Sequence, residues 1–401
     1  MKILVLNCGS SSIKYQFIDT EKEDILAKGA VERIGMSSAV LTHAPKDKEP
    51  IKIVGEILDH TLAIEYVIAV LLSPNHGVIK DKTEIDAVGH RVVHGGEDFT
   101  GSVLITDRVM SVLKENIELA PLHNPPNIEG IKAAKAHLPS TPQVGVFDTS
   151  FHAKMPPHAF LYGIPYELYR RYKIRRYGFH GTSHRYVSQK AAMMLERPYE
   201  DLKIITIHLG NGASITAIDK GVSIDTSMGF TPLEGLLMGT RSGDLDPSII
   251  TYVMGKEGLD VRDMNALLNK HSGLIGVSGE SSDMRELEAA VQEGDRRAKS
   301  AFDLFNYRIK KYIGSYIAAL GGLDALVFTG GIGENSIEVR KAVCLNMEYL
   351  GIELDLDKNK NPTGEADLST ENSKVRVLRI PTNEELVIAM DTEKIVGEQL
   401  S

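Results

Sequence analysis

Two arginines, two pairs of histidines and three glycine-rich corners are the residues whose types and spacing suit chemistry in this chain. The stretch "NCGSSSIK" (7–14) follows the apolar "KILVL", "HLGNGAS" (208–214) follows "KIITI", and "TGGIGEN" (329–335) follows "ALVF". Glycine lets a backbone approach a ligand closely, and the N–H and hydroxyl groups around it can donate to phosphoryl oxygens. Ser10 and Ser12 bring hydroxyls to the first corner, Gly210 and Gly212 shape the second, and Gly331 lies in the third. Lys14 stands on the strand after the first turn, where alternation points it back toward that turn. Asn7, at the end of the first strand, offers a neutral oxygen of the kind that holds Mg²⁺ through water. No G-x-x-x-x-G-K-[ST] spacing occurs, so this is not a P-loop. One such corner reads equally as a plain hairpin turn; three of them after strands point to a wrapped nucleotide.

Arg91 in "GHRVVHGG" follows a strand, and Arg241 in "MGTRSGD" sits in a glycine-flanked loop. A guanidinium fork suits both a carboxylate and a phosphoryl group, although a surface ion pair is the commoner use of arginine. Asp148 follows "QVGVF" and so stands at the carboxyl end of a strand, where α/β folds place ligands. His180 and His184, like His90 and His94, are four residues apart, a spacing that admits zinc. Neither pair encloses the glutamate of H-E-x-x-H, and no cysteine cluster supplies a further ligand. Asp283 with Glu286 three residues on reads as a capping box. His123 in "PLHNPPN" either lines a site or caps the helix that begins near Pro125. Glu384 in "PTNEELVIA" is either a ligand or an exposed carboxylate at a helix start. Cys8 reads as a small residue beside the turn, not as a nucleophile.

These groups need a frame, and internal repetition supplies one. "KILVLNCGSSSIKYQFID" (2–19) and "KIITIHLGNGASITAID" (203–219) share strand, glycine turn, strand and closing Asp, differing by one residue inside the turn. "IDAVGHRVVHGGE" (85–97) and "LDALVFTGGIGEN" (323–335) share a hydrophobic-Asp-Ala start and a double glycine. The spacing predicts a duplicated α/β fold with a cleft between the copies. The expected division is 1–150 plus 385–401 against 151–384, with the last helix returning to the first domain. Helices are predicted over 297–320, stopped by Gly321-Gly322, and over 183–195. Residues 356–374 are polar without apolar periodicity and read as an exposed loop.

With 401 residues, 42% of them hydrophobic, the chain has length for two cored domains. A formal charge of -9 opposes nucleic-acid binding, which needs a net basic face. Two cysteines make no disulfide framework and fit a reducing cytoplasm. The apolar run Ile3 to Leu6 is too short for a secretory signal, and no stretch suits a membrane span.

Ten segments, among them "LAPLHNPPN", "FDTSFH", "RRYGFHGTSHRYV", "DTSMGFTPLEGLLMGTRSGDLDP", "SSDMREL" and "FTGGIGENS", together resemble the acetokinase family. That family belongs to the sugar kinase, actin and heat-shock chaperone ATPase superfamily. The resemblance runs from residue 7 to 389 and implies two ribonuclease-H-like (actin-like ATPase) domains with a nucleotide cleft. It implies reversible transfer of the ATP γ-phosphoryl to acetate, giving acetyl phosphate and ADP, with Mg²⁺ or Mn²⁺ and in a homodimer. By resemblance Arg91 takes the carboxylate, Arg241 the transferring phosphoryl, and His180 donates to the in-flight oxygens. The family casts Asp148 as an acid/base; its chemistry reads instead as orienting an arginine or the metal shell, because a carboxylate acceptor brings no proton to remove. Asn7 and Glu384 fall in the metal shell. Val93, Leu122, His123, Phe179 and Pro232 gather at the acceptor. Ser10, Ser12, Lys14, His208, Gly210, Asn211, Gly212, Asp283, Met284, Arg285, Gly331, Ile332 and Asn335 gather at the nucleotide. The alternatives are a kinase for propionate or another short carboxylate, a kinase for a hydroxyl acceptor, and an actin- or chaperone-type ATPase.

Overall fold

Strands buried on both faces are unbroken apolar runs, and such runs form the centres of two sheets. In β1 (Lys2–Cys8), Ile3, Leu4, Val5 and Leu6 are all at most 1% exposed. The computed structural model describes Met1 to Gln399 in full and Leu400 in its backbone. It divides into two compact units: Met1–Ala153 with the C-terminal segment from Asn383, and Lys154–Thr382. The first unit carries β1, β2 (Ser12–Asp19), β3 (Asp24–Glu32), β4 (Ala39–Pro45), β5 (Ile51–Gly55), β6 (Ala87–Val92), β7 (Val103–Leu104) and β8 (Gln143–Phe147). The second carries β9 (Lys203–Leu209), β10 (Ala213–Asp219), β11 (Val222–Thr226), β12 (Ala325–Thr329), β13 (Ala366–Asp367) and β14 (Arg376–Arg379).

The sheet orders are β5-β4-β3-β2-β1-β6-β8-β7 and β11-β10-β9-β12-β14-β13. Aligning β1 with β9 places β2 on β10, β6 on β12, β8 on β14 and β7 on β13. Parallel and antiparallel pairings agree at every step. Each unit is therefore a ribonuclease-H-like sheet, and the duplication seen in the repeats is real. Fine detail is duplicated too. Asp86 Oδ2 accepts from Lys2 N at 2.7 Å, and Asp324 Oδ2 accepts from Lys203 N at 2.8 Å. Each aspartate N–H donates back to the same lysine's carbonyl, at 3.0 and 2.9 Å. The Asp of the hydrophobic-Asp-Ala start thus ties the incoming strand to the first one. The one-residue difference lies in the turn: Gly9 to Ser12 separate the paired Cys8 and Ile13, whereas Gly210 to Gly212 separate Leu209 and Ala213.

Helices His60–Leu71 and Asn124–His137 cover one face of the first sheet, seating Ile64, Val67 and Ala134 against Leu4, Leu6 and Phe17. The helix Glu384–Leu400 covers the other, with Ile388, Ala389 and Val396 on Ile3, Val5 and Val144. Gly89 permits that contact, since a Cβ there would stand 2.5 Å from Thr392 Oγ1 and 2.7 Å from Ile388 Cγ2. In the second unit the predicted long helix spans Arg296–Leu320, capped by Asp295 and ended by left-handed Gly321. Among the described residues no helix is long and apolar enough to cross a membrane.

The units exchange at 153/154 and 382/383, against the expected 150/151 and 384/385. The turn after β8 (Ser150 to His152) is tied back to Phe147, and Asn383 caps the last helix through Leu386 N at 3.1 Å. Glu384 thereby belongs to the first unit. The helix expected at 183 begins at Gly181. The stretch 356–374 is not an exposed loop: it holds the helix Leu356–Lys360 and β13, and buries Asn359, Leu368 and Ser369. Its order comes from distant partners, for Arg340 Nε donates to Asn359 Oδ1 at 2.7 Å, which polar composition does not signal.

Candidate active site

In the first unit the functional side chains stand at the carboxyl ends of the parallel strands β6 and β8. Arg91 Nε donates to both Asp148 oxygens at 3.2 Å, and Nη2 donates to Oδ2 at 2.7 Å. Asp148 is 2% exposed, and its N–H is fixed to Val92 O at 3.0 Å. Glu384 Oε2 lies 3.9 Å from Arg91 Nη2. The Asp148 charge raises the Arg91 pKa, while burial pushes the Glu384 carboxyl up to about 7 against the opposing pull of Arg91. Among the described residues Arg91 Nη1 makes no hydrogen bond and remains for a ligand.

Magnesium prefers hard oxygen donors. Among the described residues Asn7's carboxamide makes no hydrogen bond, and Glu384 supplies a carboxylate. Two carboxylates facing one guanidinium leave surplus negative charge beside them, so this donor set fits Mg²⁺. The first glycine corner is held by two residues that the sequence did not reveal. His60 Nε2 donates to Gly9 O at 2.7 Å. Buried Asn127 donates to Cys8 O at 2.9 Å and accepts from Val93 N at 3.1 Å, tying the corner to the segment after β6. Ser10 and Lys14 are exposed and Ser12 half-buried. Burial pushes the Cys8 thiol up to about 12, which suits no nucleophile.

His90 lies in strand β6, so its spacing to His94 places no helical pair there. Its Nε2 sits 2.7 Å from Gln143 Oε1, and burial lowers its pKa from 6.5 to about 4. A depressed folded pKa contributes stability that is present above about pH 6.5 and lost as pH falls toward 4. His90 should therefore cost about 2 kcal/mol of unfolding free energy between pH 7 and 5. Urea midpoints at the two pH values should show a steeper loss in the wild type than in His90→Asn; equal slopes would refute it.

The second unit assembles a histidine cluster on a hairpin and a helix start. His180 takes a left-handed conformation (φ 56) at the N-cap of the helix Gly181–Met194. Positive φ in a non-glycine residue is strained and concentrates at functional sites. Ser214 Oγ joins His180 Nδ1 at 2.8 Å to His184 Nε2 at 2.7 Å. His184 Nδ1 meets Thr206 Oγ1 at 2.7 Å, and His208 Nδ1 meets Ser183 Oγ at 2.8 Å. The His180 and His208 rings stack at 4.3 Å. These nitrogens are committed to hydroxyls, and among the described residues no group of three such side chains is arranged to hold a metal. The zinc alternative has no support.

Arg241 is half-buried and has no carboxylate partner among the described residues. It donates to Pro232 O at 3.2 Å and contacts Met238 Sδ at 3.7 Å, and burial lowers its pKa. A Cβ placed on Gly212 would stand 3.3 Å from Arg241 Nη1 and 3.5 Å from His180 Nε2. The two groups converge over a glycine that leaves the space between them open. At the third corner Gly330 (φ 75) would strike Leu209 with any Cβ. The helix Gly330–Asn335 follows, holding Gly331, Ile332 and Asn335, whose Nδ2 donates to Gly331 O at 2.8 Å.

Other expected positions differ from their reading. Asp283 caps the helix Met284–Gln292 through Arg285 N at 2.9 Å and pairs with the Arg285 guanidinium at 2.6 Å, so Glu286 completes no capping box. Met284 is buried. His123 occupies a helix N-cap position without a capping hydrogen bond from its side chain. Leu122 is 71% exposed, Val93 and Pro232 are half-buried, and Phe179 is buried. Asn211 sits in the second corner, and its carbonyl accepts from Gly239 N at 3.0 Å.

Residues 2–390 match the model of the acetokinase family. An acetate kinase of Natranaerobius thermophilus is 58% identical over 99% of this chain and 100% of its own. One from Desulfitobacterium hafniense strain Y51 is 60% identical, over 99% of both. The crystal structure of Porphyromonas gingivalis acetate kinase superposes with a TM-score of 0.96 at 49% identity, covering 98% of this chain and 99% of that one. A propionate kinase structure from Francisella tularensis subsp. tularensis SCHU S4 gives 0.92 at 44% identity, covering 98% and 99%.

Proposed function

The chain belongs to the acetokinase family, and on that premise we propose how its residues carry out acetate kinase chemistry, the reversible conversion of ATP and acetate into ADP and acetyl phosphate. One observation carries the proposal: a half-buried arginine, without a carboxylate partner among the described residues, and a strained histidine converge over a glycine in the second unit. Burying an uncompensated cation is costly unless an anion meets it, and a transferring phosphoryl group is such an anion.

A carboxylate oxygen of acetate attacks the γ-phosphorus as the bond to the bridging β,γ-oxygen breaks. Acetate is already ionised at neutral pH, so no proton moves. Arg91, held by Asp148, presents Nη1 to the second carboxylate oxygen. His180 and Arg241 donate to the equatorial oxygens, where charge spreads in the transition state. Ser10, Ser12 and Lys14 on one corner and His208, Gly210, Asn211 and Gly212 on another serve the phosphates. Asp283, Met284, Arg285, Gly331, Ile332 and Asn335 serve the nucleoside. The acceptor residues are Val93, Leu122 and His123 of the first unit, and Phe179 and Pro232 of the second. Asn7 and Glu384 would hold Mg²⁺, which would supply positive charge against that of the phosphates. A cytoplasmic homodimer is part of this reading; the buried, unpaired thiols of Cys8 and Cys344 agree with a reducing compartment.

Incubation with ATP, Mg²⁺, acetate and hydroxylamine should give acetohydroxamate. Acetate should exceed propionate in kcat/KM by about tenfold, the usual reach of one methylene. No hydroxamate from any short carboxylate would sink the kinase reading. A preference for propionate, the substrate named for the Francisella tularensis relative, would move only the acceptor.

A further inference from the structure

His180 and Arg241 come from two irregular segments, and a cluster outside the glycine corners ties those segments together. Arg176 Nη2 donates to Glu234 Oε1 at 2.7 Å. Its Nη1 reaches three successive carbonyls, Thr226 and Ser227 at 3.0 Å and Met228 at 3.3 Å, where β11 ends and the loop to Arg241 begins. The Tyr162 hydroxyl donates to Glu234 Oε2 and accepts from Phe230 N at 2.8 Å. A Cβ on Gly229 would stand 1.7 Å from Glu234 Oε2 and 2.2 Å from the Tyr162 oxygen, so the cluster closes directly over that glycine.

The links run outward from the cluster to both donors. On one side Tyr177 N and Gly178 N donate to Gly229 O at 3.1 and 3.3 Å, two residues before His180. On the other, Glu234 lies two residues after Pro232, whose carbonyl accepts Arg241 Nη1. Asp244 closes the far end of the loop, accepting Gly235 N at 2.8 Å and the Tyr312 hydroxyl at 2.7 Å.

We propose that Arg176, Glu234 and Tyr162 are positioning residues that set the separation of His180 and Arg241 for phosphoryl transfer. The inference rests on the kinase reading above. None of the three needs to touch substrate. Arg176 holds one Glu234 oxygen and Tyr162 the other, and Glu234 pins the loop at its midpoint. Positioning errors of about 1 Å are enough to cost about a hundredfold in rate.

The test uses Glu234→Gln and Tyr162→Phe, singly and each combined with Arg241→Lys, in the hydroxamate assay with melting curves on every variant. Each single substitution should lower kcat about tenfold to a hundredfold, with the KM for ATP within about twofold of wild type. Each double should lose less than the product of its singles, because both changes act through one guanidinium. Multiplicative losses, an ATP KM that rises in parallel, or unchanged kcat in folded variants would each overturn the proposal. If Glu234→Gln does not fold, Tyr162→Phe, which deletes a single oxygen, decides alone. An inactive wild type would overturn the kinase reading instead, and an active wild type with insensitive variants only this inference.

Discussion

Arg241→Met should lower kcat by about a thousandfold, the scale on which a guanidinium stabilises phosphoryl transfer, while leaving the ligand-free protein as stable as before or slightly more so. The two halves of that expectation have one cause. Arg241 has no carboxylate partner among the described residues, and burial already lowers its pKa. Its charge therefore costs folding energy with no internal ion pair to offset it. Methionine keeps much of the volume and removes the charge, so no charged partner is orphaned; Pro232 O and Met238 Sδ lose a donor. Exposure of the half-buried group limits the stability gain to about 0–1 kcal/mol. Steady-state rates and urea midpoints on the same preparation decide it. A loss of several kcal/mol would mean that Arg241 holds the loop together. A kcat within tenfold of wild type would remove it from the reaction.

What the sequence made legible was local. The strand-turn-strand repeats, the Asp-Ala starts and the cap and stop of Arg296–Leu320 depend on neighbours in the chain, and their residue types announce them. The convergence of Arg241 and His180 was legible only as two separate motifs, because the glycine between them, Gly212, belongs to a third segment. Partners across long separations were silent. Asn127 reaches Cys8 over 119 residues, His60 reaches Gly9 over 51, and Ser214 serves two histidines at once. Side chains whose hydrogen-bond partners lie far along the chain look like any Asn, His or Ser in a string of letters. The misreading of 356–374 has the same origin: polar residues predict solvent until a buried arginine is found to need them.

Arg91→Ala should abolish turnover and, unlike the change at Arg241, also destabilise the protein by about 3 kcal/mol, because it orphans a buried carboxylate. Asp148 is 2% exposed and receives three hydrogen-bonding contacts from this one guanidinium. Glu384 stands 3.9 Å from the same group, so removing the arginine leaves two carboxylates without their shared cation. Adding Asp148→Asn to Arg91→Ala should recover much of the lost stability, since the buried charge is gone, yet restore no activity. The single change Asp148→Asn separates orientation from proton transfer. It keeps the size of the group but loosens the fork on Arg91, so kcat should fall by about a hundredfold while the pH profile keeps its shape. Loss of a limb from that profile would assign Asp148 a proton in the reaction, which the ionised acetate acceptor does not require. If the double variant were no more stable than Arg91→Ala, the destabilisation would come from lost packing around the arginine stem and not from the stranded charge.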